Sequence, residues 1–131
     1  MATLTPNGDT EVTVDTKGEL KILAGTVVFN GTGFKSIDFV VPVGKKYILK
    51  FCSFNYTGTA TVDFVYLRLY DGTNYVIADT VNTVAVGISY VLKPIHEVQL
   101  TNGFTINMLP YVSADTAGSG FAYALVQEID A

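Results

Sequence analysis

The chain has 131 residues, few charges, one cysteine, one histidine and no tryptophan, and each shortage closes off a class of function. Only 15% of residues are charged, and 12 acids against 8 bases give a formal net charge of −4. Binding to nucleic acid needs a basic patch to neutralise phosphates, so this balance argues against such a partner. The one basic pair, Lys45-Lys46, follows Pro42-Val43-Gly44 and reads as a solvated turn. A lone cysteine forms no intramolecular disulfide. Cys52 lies in the run Tyr47-Ile48-Leu49-Lys50-Phe51-Cys52-Ser53-Phe54 and reads as a small buried hydrophobe. A zinc site needs three or four ligands, and His96 and Cys52 stand far apart, so no metal or other cofactor is expected. No apolar run reaches the ~18 residues of a membrane-spanning helix. The opening Met-Ala-Thr-Leu-Thr-Pro-Asn-Gly has no basic stretch leading into an apolar one. No signal peptide is therefore expected, and synthesis in a reducing cytoplasm is.

The ingredients of catalysis do not assemble. His96 stands beside Glu97, but neighbours on a strand face opposite ways, so the carboxylate would not orient the ring. The acids are scattered and form no motif. Asp71-Gly72-Thr73-Asn74 could offer oxygens to calcium, yet it lacks the long run of alternating ligands and reads as a hairpin turn. There is no glycine-rich phosphate loop and no Gly-x-Ser-x-Gly. No enzymatic activity is expected.

What the chain has in quantity is short β-strands. Residues 1–19 are polar and turn-rich around Val12-Thr13-Val14 and read as a flexible N-terminal arm or edge segment. From residue 20 to 131 strands are predicted at 20–29, 34–41, 46–56, 61–70, 75–80, 84–92, 97–100, 104–109 and 121–129. Between them stand Asn30-Gly31-Thr32-Gly33, Pro42, Thr57-Gly58-Thr59, Asp71-Gly72-Thr73-Asn74, Lys93-Pro94, Asn102-Gly103 and Pro110. Strands at intervals of ~8–12 residues, with room for a helical turn only at 79–85 and 113–116, predict one antiparallel β-sandwich. The expected fold is all-β, a single jelly-roll-like sandwich of about eight strands.

Several of these strands are apolar on more than one face. In 46–56, Ile48, Cys52, Phe54 and Tyr56 oppose Tyr47, Leu49 and Phe51. In 61–70, Val62, Phe64, Tyr66, Arg68 and Tyr70 oppose Thr61, Asp63, Val65, Leu67 and Leu69. The closing strand sets Phe121, Tyr123, Leu125, Gln127 and Ile129 against Ala122, Ala124, Val126 and Glu128, a face small enough for a neighbouring sheet or subunit to approach closely. A half-buried strand should alternate apolar and polar, so the excess predicts surface covered by a second copy or a partner assembly.

Tyr56, Tyr75 and Tyr111 lie nearest the predicted turns and are the candidates for a sugar-stacking cluster at one end of the sandwich. Asn30-Gly31-Thr32 and Asn55-Tyr56-Thr57 match the N-glycosylation pattern, read as chance in a chain without a signal peptide.

With its polar N-terminal arm, its Thr-, Val-, Gly- and Asn-rich strands and the closing Gly120-Phe121-Ala122-Tyr123-Ala124-Leu125-Val126, the whole chain resembles the jelly-roll head decoration or auxiliary capsid proteins of tailed bacteriophages. The resemblance implies a structural virion protein without catalytic residues. It would decorate or stabilise a capsid as a homo-oligomer, a trimer, in contact with the major capsid protein or another virion component and with the arm touching the shell. Its place would be the virion, after synthesis in the host cytoplasm, with no nucleic-acid or membrane partner. The alternative is a glycan- or receptor-binding module of a phage tail fibre or spike, which is where Tyr56, Tyr75 and Tyr111 would act.

Overall fold

The computed structural model describes residues 2–4, 12–14, 18–114 and 117–131. Most of the arm expected at 1–19 lies outside the described residues, as do positions 115–116 of the suspected helical turn. Two short strands, β1 (Ala2–Leu4) and β2 (Val12–Val14), pair antiparallel with each other. The sandwich begins with β3 (Glu19–Val28), β4 (Gly33–Phe34), β5 (Ile37–Val40), β6 (Lys45–Gly58) and β7 (Thr61–Tyr70). It continues with β8 (Tyr75–Asn82), β9 (Tyr90–Leu92), β10 (Val98–Leu100), β11 (Thr105–Ala114) and β12 (Gly118–Asp130). No helix occurs among the described residues.

One sheet runs β10-β6-β12-β3, with β9 sharing the β10 side of β6. The other runs β4-β11-β7-β8, with β5 sharing the β4 side of β11. All pairs are antiparallel, and most connections carry the chain from one sheet to the other. Counting β4/β5 and β9/β10 as one position each, eight strand positions in two sheets give the jelly roll that the strand spacing implied. The core between the sheets is built from Leu49, Cys52 and Phe54 of β6, Val62, Val65 and Leu67 of β7, Ile106 and Met108 of β11, and Ala122, Ala124 and Val126 of β12. The small face of β12 thus meets the opposite sheet. At one edge β3 lies against β5, where a Cβ on Gly25 would stand 2.5 Å from Ile37 Cγ2. At the other edge, Asp79 of β8 accepts a hydrogen bond (2.9 Å) from the Lys93 backbone N–H just beyond β9.

Several sequence expectations fail for local reasons. The predicted strand 34–41 is broken at Lys35-Ser36, opposite Pro110 of β11. Residue N–H and C=O groups on an antiparallel strand point to the same neighbour, so Pro110 turns its donor-less nitrogen toward this gap. Its carbonyl still accepts from Lys35 N at 3.0 Å. Sited there, Pro110 does not end its strand as expected, and β11 runs on to Ala114. The predicted strand 84–92 keeps only β9. Thr83 takes a left-handed φ of 60° after β8, a conformation rare for a β-branched residue, and the chain leaves the sheet as a loop anchored by buried Val84. That loop is held by Gly87 N donating to Tyr56 O at 2.9 Å.

A further correction concerns β6. Val126 faces Leu49 while the preceding Leu125 faces Phe51, so Lys50 is an extra residue in the ladder. Such a bulge reverses the side-chain alternation. Tyr47 and Leu49 before it, and Cys52, Phe54 and Tyr56 after it, consequently all point into the core. The two apolar faces read from this strand are one buried face that changes phase. In β7 a similar irregularity at Asp63 brings Val62 inward with Val65, Leu67 and Leu69.

Candidate functional site: two outer sheet faces

With the core assigned, the informative surfaces are the outsides of the two sheets. On the β3-β12-β6 side, register places Ile22, Leu125 and Phe51 in one row across three strands. The next row holds Ala24, Tyr123, Ser53 and Val91. Leu20, Ile22 and Val28 are 64%, 72% and 65% exposed, and Phe51, Val91 and Tyr123 are exposed beside them. Leaving aliphatic side chains in water forgoes ~25 cal/mol per Å² of burial, and contiguous patches of this kind mark interaction surfaces. At the foot of this sheet Glu128 accepts from Lys21 (3.0 Å), and Lys45 pairs with Asp130 (2.6 Å). The hydrogen bond from Lys21 is the main cause holding the Glu128 carboxyl below its ordinary range, and Lys45 does the same for Asp130. Lys45 is therefore an ion-pair partner of Asp130, where the sequence reading favoured a solvated turn over an anion contact.

The outer face of the other sheet is aromatic. Phe64 of β7 and Tyr111 of β11 stand at paired positions and stack in parallel, 5.1 Å between centroids. Phe34 closes on both at 5.8 and 5.1 Å with edge-on geometry, and Tyr66 lies 4.8 Å from Phe64. Farther along the sheet the guanidinium of Arg68 sits 5.2 Å from the ring of Tyr70 and 4.8 Å from that of Tyr75. Arg68 Nε donates to Asn107 Oδ1 at 3.1 Å, and Asn107 in turn donates to Asp38. Between the aromatic cluster and Tyr75 lies an open groove of about 300 Å³ lined by Phe34, Tyr66, Arg68, Tyr75, Ile77 and Leu109.

The three candidate tyrosines do not form a cluster. Tyr56 is 4% exposed, packed edge-on against Phe29 at 6.0 Å, with its hydroxyl donating to Val84 O. No ligand outside the core can reach it. Tyr75 and Tyr111 share the aromatic face but stand at opposite ends of it, six residues apart along the register of β11, roughly 20 Å. His96 is exposed in the loop between β9 and β10, and the Glu97 carboxylate is engaged by Lys50 at 2.5 Å. Cys52 is fully buried, and burial pushes its thiol up to about 12, far from a reactive thiolate. Asp71 Oδ1 accepts from the backbone N–H groups of Asn74 (2.7 Å) and Thr73 (2.8 Å), which hold its carboxyl below the usual range. That carboxylate organises the hairpin between β7 and β8. No group of three His, Cys, Asp or Glu side chains able to hold a metal occurs among the described residues. No helix among them is long and apolar enough to cross a membrane.

Sequence reading found the aromatic row Phe64-Tyr66-Arg68-Tyr70 but not the aliphatic face of β3. The alternation there is regular, with Leu23 and Val27 inward and Leu20, Ile22 and Val28 outward, so an apolar run concealed a strand wet on one side. The signal for the β6 bulge was Lys50, a lysine placed where neither phase of alternation works.

No protein-family model matches the chain, and no curated protein matches its sequence. Among solved structures, a chain of the cyanophage Pam1 capsid asymmetric unit superposes with a TM-score of 0.56 at 18% identity, over 94% of this chain and 96% of that one. At that identity the likeness is one of fold. A chain from the Bacillus endospore appendages that form disulfide-linked pili aligns at 11% identity over 92% of this chain and 100% of that one. Its TM-score of 0.33 is too low to carry an argument.

Proposed function

We propose that the protein is a structural component of a bacteriophage virion, decorating or stabilising the capsid through multivalent protein–protein contacts and catalysing no reaction. The observation that carries this reading is that both outer sheet faces are apolar while the core between them is complete. A jelly roll of this size normally wets at least part of its outer surface with polar side chains; here the aliphatic and the aromatic face both suit coverage by protein. The aliphatic face, without a charge among Ile22, Leu125, Phe51, Tyr123 and Val91, suits a second copy of the chain, and the assembly proposed is a homotrimer. The aromatic face is left for the major capsid protein or another virion component. Residues 2–19 are the proposed shell contact. Weak contacts repeated over a lattice gain strength through high effective concentration, so no single contact need be tight. The protein would be made in the host cytoplasm and end in the virion. The fold similarity to a capsid chain is compatible with this role and is not its basis. The glycan-binding alternative has lost a member of its tyrosine set to the core. Co-sedimentation with empty phage heads tests the proposal: the protein should pellet with heads, saturably, and remain in the supernatant without them. Failure to pellet with any head or tail preparation would overturn it.

A further inference from the structure

Arg68 is the only arginine in the sequence, and it is placed in a way that packing alone does not explain. Its Nε is fixed by Asn107, a side chain 3% exposed whose amide is itself held by Asp38. The rings of Tyr70 and Tyr75 flank its plane. The guanidinium is thereby held at Nε and set beside two rings, yet no carboxylate among the described residues lies within ion-pair reach of it. Arg68 lines the groove, and its one hydrogen bond to a described residue is made by Nε, none by the terminal nitrogens. Two rings and one amide compensate a half-buried charge only in part, and a guanidinium is the group best shaped to receive a carboxylate through two parallel hydrogen bonds.

We propose that this groove is a docking site for an acidic side chain of a partner polypeptide, with Arg68 taking the carboxylate and the apolar walls taking a flanking aromatic or aliphatic residue. The inference rests on the structural-protein reading and names the chemistry of the partner contact. Charge complementarity selects the occupant: the rows Ile22-Leu125-Phe51 and Ala24-Tyr123-Ser53-Val91 of the chain's own aliphatic face carry no carboxylate, and Glu97 beside them is already paired with Lys50 at 2.5 Å, so a second copy docking by that face would bring Arg68 no free carboxylate. The site also continues beyond the groove into the Phe34-Phe64-Tyr111 cluster, a strip suited to an extended segment more than to a small molecule. The Asp38–Asn107 pair behind Arg68 acts as a positioning device, presenting the guanidinium at a fixed angle without neutralising it at short range.

The experiment is a titration of the full-length, nitrogen-15-labelled protein with two blocked peptides, N-acetyl-Phe-Glu-Phe amide and its glutamine counterpart N-acetyl-Phe-Gln-Phe amide. With a single arginine, the Arg68 Nε–Hε resonance identifies itself. The glutamate peptide should shift that resonance and the Tyr75 ring signals saturably, and the glutamine peptide should bind about tenfold more weakly or worse. Arg68→Met should abolish the preference for glutamate, and Arg68→Lys should restore part of it. Equal binding of the two peptides, absence of binding, or a preference that survives Arg68→Met would overturn the proposal and leave Arg68 as packing between two tyrosines. Should Arg68→Met fail to fold, Arg68→Gln serves instead: it keeps a polar donor beside Asn107 but no charge, and it should bind the two peptides equally. Glutamate-selective binding by a protein that never sediments with phage particles would keep the site and end the virion reading. Sedimentation with particles unchanged by Arg68→Met would do the reverse.

Discussion

Phe64 and Tyr111 stack within 3° of parallel at directly paired positions of β7 and β11, on the outside of the sheet. Offset aromatic pairs of this kind add ~0.5–1.5 kcal/mol beyond the area they bury. A double-mutant cycle with Phe64→Ala and Tyr111→Ala, followed by urea denaturation, should therefore return a coupling of that size, roughly 1 kcal/mol. Strictly additive effects would mean that the rings do not stack in solution.

Ile22→Glu tests the aliphatic face. The side chain is 72% exposed, so the folded protomer should lose within about 0.5 kcal/mol of stability. Self-association should fall sharply, because a carboxylate would be buried without a partner beside Leu125. Sedimentation velocity checks this, with the wild type as a larger species and the variant shifted to monomer. An unchanged distribution would move the subunit contact elsewhere.

Gly25→Ala tests the closed edge between β3 and β5. Its new methyl would meet Ile37 Cγ2 at 2.5 Å and Phe39 Cε1 at 3.3 Å, forcing β5 outward. Overpacking of this kind costs ~1–3 kcal/mol, readable as a lowered denaturation midpoint. A neutral substitution would show that the two sheets are less tightly joined at this edge.

The architecture was largely legible in the chain, because turn residues such as Asp71-Gly72 and Gly31 punctuate the strands and β7 ends where its sequence does. The departures share a cause. Pairing with a distant strand, not local preference, decides where a bulge such as Lys50 falls and whether Pro110 ends a strand or sits beside a gap. Residue-by-residue alternation cannot detect that. The groove was less legible than the fold, since Phe34, Arg68, Tyr75 and Leu109 come from four segments that only the sheet order brings together. Tyr56 shows the converse: a tyrosine near a turn in sequence ends in the core because the bulge shifts its phase.

Stability should fall on the acid side in a way traceable to Glu128 and Asp130. Both carboxyls are held below their ordinary values of 4.5 and 3.8, so the unfolded chain binds more protons in that range and stability rises with pH there. Their contribution is complete above those values and is lost as pH falls through the lower folded-state ones. Lys21 and Lys45 are raised above 10.5, so their side of the same pairs persists until the solution is more alkaline than that. In thermal melts from neutral pH down to strongly acid, Glu128→Gln should flatten the acid limb relative to wild type. An identical acid limb would contradict the role given to the Lys21–Glu128 pair.

Cryo-electron microscopy of the particles with which the native protein co-purifies tests the central proposal most directly. The expected result is added density on the outer surface of the capsid at its three-fold positions, fitted by three copies of the jelly roll with the aromatic face toward the shell. Capsids bare at those positions, or density for this chain confined to a tail fibre or to no particle at all, would contradict it.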